Sequence, residues 1–276
     1  MIIRSVDSSP RSVAELVELT RLSAVTVRRD LADLAEQGLL VRTRGGAAPA
    51  VRRGAEYPFG LREASEADTK RRLARAAATI VEPGHAVLID NGTTALAVAR
   101  ELAGLGITAM ALSLHAAAAL AAVPGNQVLV PGGPVDTDDL AFTSAGAADA
   151  VRAMRFDVAF IGACAAHPDH GLTVATWGDA HLKRAALDSS TERVLVATAD
   201  KFHRTAAHRF GRIGDITTIV TTADAAPSVL YDARESGARI LTVSPTDPPH
   251  GDARRPDASA SSRGGTSRSG RSTPHA

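Results

Sequence analysis

Cysteine, lysine and long apolar runs are what this sequence has least of. The single cysteine, Cys164, excludes a disulfide scaffold and a zinc site built from several cysteines. No apolar run approaches the ~20 residues that a membrane-spanning helix needs. The N-terminal residues also lack the apolar stretch of a signal peptide. We therefore expect a cytoplasmic protein with no membrane partner and no cofactor.

Charge is distributed unevenly along the 276 residues. Residues 1–55 carry nine arginines against six acidic residues, a net charge of +3. Residues 56–246 carry seventeen basic and twenty-one acidic residues, a net charge of −4. A basic N-terminal part on an acidic body is typical of a nucleic-acid-binding domain attached to a separate domain. Residues 247–276 are rich in Pro, Gly, Ser and Arg, which predicts a disordered tail.

The first fifty residues follow the plan helix, turn, helix, ribbon. Apolar residues at helical spacing follow Ser12 and again follow Ser23, and serine is a preferred N-cap residue. Gly38 provides a stop for the second helix. Residues 39–44 then alternate in the manner of a strand before the glycines at 45–46. The pattern predicts a winged helix-turn-helix domain over residues 1–50.

Six polar residues of this region are candidates for DNA contact, on the second helix and on the ribbon: Ser23, Thr26, Arg28, Arg29, Arg42 and Arg44. The N-terminal residues of the second helix reach base edges in the major groove of DNA. The guanidinium of arginine can hydrogen-bond to guanine or neutralise a phosphate. The hydroxyls of serine and threonine can hydrogen-bond to bases or to phosphates. The alternative is an amphipathic helix with two solvated arginines, and the ordered series of elements argues against it.

After a linker and connecting segment over residues 51–69, the pattern changes to alternating strands and helices over residues 70–246. The predicted strands are short apolar runs at residues 86–90, 107–112, 127–131, 157–162, 193–199, 216–221 and 239–243. Alanine-rich helical segments lie between several of them, such as 70–82, 94–103, 145–154 and 225–236. This alternation predicts an α/β domain with a mostly parallel sheet.

A phosphate-binding loop is predicted where Asp90 ends a strand and a helix opens. Gly92 permits close backbone approach, and the hydroxyls of Thr93 and Thr94 can donate to an anion at the helix N-terminus. The pair Gly132-Gly133 ends another strand. Ligands of open α/β sheets lie outside the carboxyl ends of the strands, so both loops are expected to face one pocket. Two ordinary turns are the alternative.

These motifs resemble those of the DeoR/GlpR family of bacterial transcriptional regulators. The segment Ser23–Leu31 has the family's Ser-x-x-Thr-x-Arg-Arg-Asp-Leu spacing, and Arg42–Ala47 has its Arg-x-x-Gly-Gly-Ala wing. Residues 90–94 resemble its Asp-Ser-Gly-Thr-Thr loop, and the match extends over roughly residues 12–225. Members usually begin with a full first helix, whereas only about residues 2–6 are left to form it here.

The resemblance implies a C-terminal sensor domain similar in fold to ribose-5-phosphate isomerase, which binds a phosphorylated sugar or related metabolite. The chain has only three lysines, and all three stand where members commonly carry lysine. Lys183 and Lys201 are our candidates for pairing with the anionic effector, together with Asp90 and the two glycine-containing loops. Lys70 is assigned a structural role at the start of a helix.

The predicted function is a DNA-binding transcriptional regulator of sugar or related carbon metabolism, expected to be a repressor and not an enzyme. Its partners would be a double-stranded DNA operator, a phosphorylated effector and further copies of itself, since helix-turn-helix proteins bind half-sites as dimers. The alternative is a sugar-phosphate isomerase that carries a DNA-binding domain. Such an enzyme needs a general base, and no carboxylate has a spacing that marks it as catalytic. The histidines likewise lack metal-ligand spacing.

Overall fold

The N-terminal part of the chain folds into three helices and a small three-stranded sheet. The computed structural model describes residues 1–8, 10–36, 39–49 and 58–244. Its first elements are α1 (Ile2–Ser8), β1 (Arg11–Ser12), α2 (Val13–Thr20), α3 (Ala24–Glu36), β2 (Leu40–Thr43) and β3 (Gly46–Pro49). Strand β3 pairs antiparallel with β1 and with β2. This part, residues 1–49, is called the head below.

Local signals in the sequence define the boundaries of the helices in the head. Ser12 and Glu15 form a capping box at the start of α2, which satisfies backbone N–H groups that the helix leaves unpaired. Helix α2 ends at Arg21, whose φ of 57° is left-handed and whose N–H donates to the Val17 carbonyl. The turn to α3 is thereby fixed, as the sequence predicts.

The short first helix packs into the head in spite of its length. Ile2 and Val6 of α1 are buried in one cluster with Leu16, Val27 and Leu31. Two helical turns are therefore enough to place two apolar side chains over α2 and α3. The sequence predicts a first helix limited to about residues 2–6. In the structure α1 is longer and continues to Ser8.

The rest of the chain forms a parallel sheet with helices between its strands. The helices are α4 (Phe59–Ala64), α5 (Ala67–Ala78), α6 (Thr93–Glu101), α7 (Leu114–Ala121), α8 (Ala145–Arg152), α9 (Trp177–Asp188) and α10 (Pro227–Glu235). The strands are β4 (Ala86–Ile89), β5 (Thr108–Ala111), β6 (Gln127–Leu129), β7 (Phe156–Ile161), β8 (Ala165–His167), β9 (Gly171–Val174), β10 (Ser190–Val196), β11 (His208–Gly211), β12 (Thr218–Thr222) and β13 (Arg239–Val243). Short 3-10 helices span Ala199–His203 and Ile213–Asp215.

Seven strands make the main sheet in the order β13-β12-β10-β7-β4-β5-β6, and all neighbours are parallel. The chain runs outward from β4 to β6, returns to β7 beside β4, and then runs outward on the other side. The strand order thus reverses between β4 and β7. Two apolar clusters cover the two faces, one around Phe156 and Leu195 and the other around Phe160 and Val194.

The structure confirms the predicted class, an N-terminal helix-turn-helix with a C-terminal α/β domain. All seven predicted strands are present in the sheet. A second sheet, β11-β9-β8, is antiparallel and was missed because its strands have three or four residues each. The helix stop at Gly38, the linker residues 51–57 and the tail 247–276 lie outside the described residues. In the described part of the chain, no helix is long and apolar enough to cross a bilayer.

Candidate functional site

Asp90 lies where the strand order of the main sheet reverses. It follows β4 directly, is 1% exposed, and accepts a hydrogen bond at Oδ2 from the N–H of Gly162 over 2.7 Å. Gly162 follows β7, so this bond joins the carboxyl ends of the two strands that flank the reversal. In open α/β sheets this point is where ligands bind, and the candidate effector site is therefore built around it.

Lys183, on α9, is held in a buried network with the same carboxylate. Its Nζ donates to Asp90 Oδ2, lies 3.2 Å from Asp179 Oδ1, and donates to Asn91 Oδ1 over 3.3 Å. Asn91 Nδ2 in turn donates to Asp179 Oδ1 over 3.0 Å. An ammonium has three N–H donors, so these three oxygens use all of them.

Electrostatics keep Lys183 charged at neutral pH. Burial lowers the pKa of Lys183, but the carboxylates of Asp179 and Asp90 outweigh it and raise the pKa above its ordinary value. The predicted direct contact between Lys183 and an effector is thus not favoured by this geometry, because its donors already have partners. Lys183 instead fixes Asp90 and the side chain of Asn91 next to the loop.

Lys70, for which the sequence predicts a structural role, lies in the candidate effector site. It is on the first turn of α5, and its Nζ donates to Thr93 Oγ1 over 3.0 Å and to the backbone carbonyl of Arg62. Thr93 is the first residue of α6 and is 7% exposed. A cation therefore lies beside the hydroxyl of the predicted phosphate-binding loop, and the structural assignment of Lys70 is incomplete.

Like charges surround Lys70. Its pKa is lowered to about 8, first by burial and then by the neighbouring charge of Lys201. Arg62 lowers the pKa further, while Glu66 and Asp200 raise it. The charge of the predicted effector residue Lys201 thus opposes that of Lys70, and an anion bound beside Lys70 would offset this effect.

The N-terminus of α6 is open to a ligand. Its N-cap is Gly92, which has no side chain to satisfy the first backbone N–H groups. A Cβ added to Gly92 would meet nothing within 4 Å, so packing does not require glycine there. Thr94 is the second residue of the helix and is half-buried. These N–H groups and hydroxyls form the donor set that phosphate prefers at a helix N-terminus.

The second predicted loop, Gly132-Gly133, lies further from this centre. Both glycines have positive φ, 78° and 86°, which explains why glycine stands there. They follow β6, which is two strands from β4, a separation of about 10 Å. The segment between β6 and α8 that begins with these glycines also carries Asp139, whose Oδ1 lies 2.7 Å from the guanidinium of Arg62. A direct contact with the effector stays a prediction.

A separate groove lies away from these residues. It has a volume of about 690 Å³, runs along α6 and α7, and is lined by side chains such as Leu96, Leu114 and Val123. None of the predicted effector residues lines it. Converging charges, rather than volume, identify the site of an anionic ligand, so we place the site at the strand ends.

The six candidate DNA-contacting residues are all exposed on the head. Arg28 and Arg29 lie on α3, which buries Val27 and Leu31 against the rest of the head. Within the described residues, neither arginine forms an ion pair. The same holds for the arginines of the ribbon, Arg42 in β2 and Arg44 in the turn before β3. These cations are therefore available to phosphate or bases.

Ser23 and Thr26 differ from the arginines because each is engaged by the other. Ser23 Oγ accepts from the N–H of Thr26 over 3.1 Å and lies 2.8 Å from Thr26 Oγ1. Ser23 is thus the N-cap of α3, as predicted.

The wing also needs its glycine, since a Cβ on Gly46 would lie 2.0 Å from the Arg11 carbonyl oxygen. Backbone packing of β1 against β3 therefore fixes the position of the ribbon.

Metal binding has no support in the parts of the chain that the structure covers. Among these residues, no group of three or more His, Cys, Asp or Glu side chains is placed to hold an ion. Cys164, the single cysteine of the chain, is half-buried.

Two protein families match the chain, and together they cover most of it. Residues 7–51 match the DeoR-like helix-turn-helix domain, and residues 65–223 match the DeoR C terminal sensor domain. The two matches fall on the head and on the part of the chain that holds the parallel sheet.

Curated relatives align over most of their length. The glycerol-3-phosphate regulon repressor of Escherichia coli strain K12 is 31% identical over 221 residues, which cover 79% of this chain and 87% of the relative. The HTH-type transcriptional repressor CsqR of the same strain is 30% identical over 237 residues, covering 86% and 90%. Among solved structures, ribose 5-phosphate isomerase A from Methanocaldococcus jannaschii is 20% identical with a TM-score of 0.37, covering 50% of this chain and 55% of that one. A TM-score of this size does not show that the two chains share one fold.

Proposed function

Since the chain belongs to the DeoR family of transcriptional regulators, we propose that it is a repressor whose operator binding is controlled by a phosphorylated sugar or a related metabolite. The head binds double-stranded DNA as part of a homo-oligomer in the cytoplasm, and the α/β domain binds the effector. The effector shifts the balance between DNA-competent and DNA-incompetent arrangements. Enzymatic turnover is not part of this proposal.

One observation carries the effector class: Lys70, whose pKa is lowered by the charge of Lys201, contacts a threonine hydroxyl at an uncapped helix N-terminus. Lys70 donates to Thr93, Lys201 lies close enough to lower the pKa of Lys70, and the backbone N–H groups of α6 are not capped by a side chain. A phosphate group satisfies the N–H groups and hydroxyl while it neutralises both ammonium groups. The relatives' names, among them a glycerol-3-phosphate regulon repressor, support the same class.

The buried network beside this site supports a sensor more than an isomerase. Asp90 and Asp179, two of the carboxylates nearest the strand ends, are both paired with Lys183. Both carboxylates therefore hold the buried lysine, which favours a structural role for them over that of the general base that an isomerase needs.

The test is binding of the full chain to the DNA upstream of its own gene, with and without phosphate monoesters such as ribose 5-phosphate and glycerol 3-phosphate. We expect selective, salt-sensitive binding that one of the compounds weakens. Replacing Thr93 with Val should abolish the response to that compound while the affinity for DNA stays the same. Selective binding that no phosphate monoester alters would contradict the effector class, and turnover of a compound would favour the isomerase.

A further inference from the structure

An exposed valine occupies the first turn of α3. Val25 is 75% exposed, the most exposed of the large apolar side chains in the described part of the chain after Met1. Single exposed apolar residues are common and need no explanation by themselves. The position of Val25 on the helix is the informative feature, because the first turn of this helix is the part that a helix-turn-helix inserts into the major groove.

Helical geometry places Val25 at the centre of the outward face. At 3.6 residues per turn, Val25 lies on the side of α3 opposite to Val27 and Leu31, which are 0% and 1% exposed. Arg29 follows Val25 by four residues and therefore lies on the same line. Arg28 is about a quarter-turn away from this line. Val25 and Arg29 thus lie on the face of α3 that points away from the buried cluster of the head.

The polar side chains of the first turn are occupied by the fold. Ser23 caps α3 through the N–H of Thr26, and the two hydroxyls lie 2.8 Å apart. Val25 contributes to neither the cap nor the buried cluster of the head. The fold therefore does not explain why an apolar side chain stands at this position.

We propose that Val25 is a specificity-determining residue that contacts the 5-methyl group of a thymine in each operator half-site. Thymine alone among the four bases carries a methyl group in the major groove. Four residues of helix advance ~6 Å, and base pairs along a strand are ~3.4 Å apart. The thymine should therefore lie one or two base pairs from the base that Arg29 reads. This inference rests on the proposed DNA binding by α3.

The size of the effect follows from one buried methyl group. Removing a methyl group from such a contact costs ~0.8 kcal/mol, about a fourfold change in affinity. Deoxyuridine differs from thymidine only by this methyl group, so replacing one by the other isolates the contact. The base pairing and the minor-groove face stay the same.

The experiment begins with selection from a library of random DNA duplexes by the full wild-type chain, which needs no known operator. Each thymine of the selected half-site is then replaced by deoxyuridine, and affinities are measured for wild type, Val25→Ala and Val25→Ile. At one position we expect the deoxyuridine replacement to lower the affinity of the wild type about fourfold and that of Val25→Ile by a similar factor. The same replacement should not change the affinity of Val25→Ala. Val41→Ala, a change at an exposed valine of the wing, is the matched control and should keep the wild-type loss.

The outcomes separate this inference from the proposed function. If the wild type selects a defined site but no deoxyuridine replacement distinguishes it from Val25→Ala, the role of Val25 is wrong and DNA binding stands. The role of Val25 is equally wrong if the Val25→Ala chain selects an unchanged site. If the wild type selects no sequence at all, the proposal of a DNA-binding regulator fails, and the role of Val25 fails with it.

Discussion

The ammonium of Lys70 lies 3.0 Å from the hydroxyl of Thr93 and also donates to the backbone carbonyl of Arg62. These contacts join α5 to the N-terminus of α6 and to α4. The third N–H of the ammonium remains for a ligand at the same helix end. Burial and the charge of Lys201 lower the pKa of Lys70, so we expect an anion bound here to stabilise the charged form of Lys70.

Replacing Lys70 with Met should weaken effector binding about 10- to 100-fold, the range for the loss of a charge-assisted hydrogen bond of about 1.5–3 kcal/mol. Isothermal titration calorimetry of the full chain with the phosphate monoester that releases the protein from DNA measures this loss of affinity. Arg71→Gln is the control, because Arg71 is the next residue and pairs with Asp68 on the surface. An equal loss in both variants would mean that only the overall charge matters.

Effector affinity should have a maximum near neutral pH. A phosphate monoester gains its second negative charge as the pH rises through about 6, which strengthens binding to the two lysines. Lys70 has a pKa of about 8, so its charge is lost as the pH rises further, and affinity should then fall. The charged groups that act on Lys70 are Lys201, Arg62, Glu66 and Asp200.

Two measurements check this pH dependence. Affinity is determined across the pH range for wild type and for Lys70→Arg, since arginine stays charged throughout. The alkaline fall should be shallower in the variant. Calorimetry in buffers of different ionisation enthalpy should also show that the wild type takes up protons on binding near pH 8, because the anion raises the pKa of Lys70. Affinity that falls equally in both proteins would exclude Lys70 as the titrating group.

Lys183 and Lys201 should differ sharply in their effect on stability. Lys183→Met leaves the buried carboxylates of Asp90 and Asp179 without their cation, and breaking such a buried network costs about 3–5 kcal/mol. Lys201→Met changes a half-buried lysine with no ion pair at its ammonium among the described residues, and should alter the free energy of unfolding by about 0.5 kcal/mol or less. Urea unfolding of both variants measures the difference. Similar losses would contradict the structural role of Lys183.

The lysines also show what sequence patterns can and cannot predict. Strands, caps and turns depend on neighbours along the chain, and so the seven strands and the Ser12 and Ser23 caps were predicted correctly. The partners of Lys70 and Lys183 lie far along the chain: Thr93 is 23 residues from Lys70, and Asp90 is 93 residues from Lys183. The packing of α5 against α6 brings Lys70 to Thr93, and the return of the chain to β7 beside β4 brings α9, with Lys183, to Asp90. The family resemblance therefore predicts direct effector contact for the buried Lys183, and the position of Lys70 at the start of a helix predicts a structural role, without knowledge of these contacts.

Arg28 and Arg29 should contribute differently to DNA binding, because they face different directions on α3. Arg29 lies in line with Val25 on the outermost face, so Arg29→Ala should relax the preference at one base pair by about 1–3 kcal/mol. Arg28 lies about a quarter-turn round the helix, where a backbone phosphate is the expected partner. Arg28→Ala should weaken binding to all sequences alike and reduce the slope of log affinity against log salt by about 0.9.

Titrations of a selected duplex and of single-mismatch duplexes at several salt concentrations distinguish the two roles. Arg75→Ala is the control for net charge, because Arg75 lies outside the head, on α5, and its nearest acidic partner is Glu101 at 3.6 Å. Arg75→Ala should change neither the base preference nor the slope of log affinity against log salt. If Arg28→Ala relaxed the base preference and Arg29→Ala changed only the slope, α3 would enter the groove rotated about its axis. The line of Val25 and Arg29 would then face the DNA backbone instead of the bases.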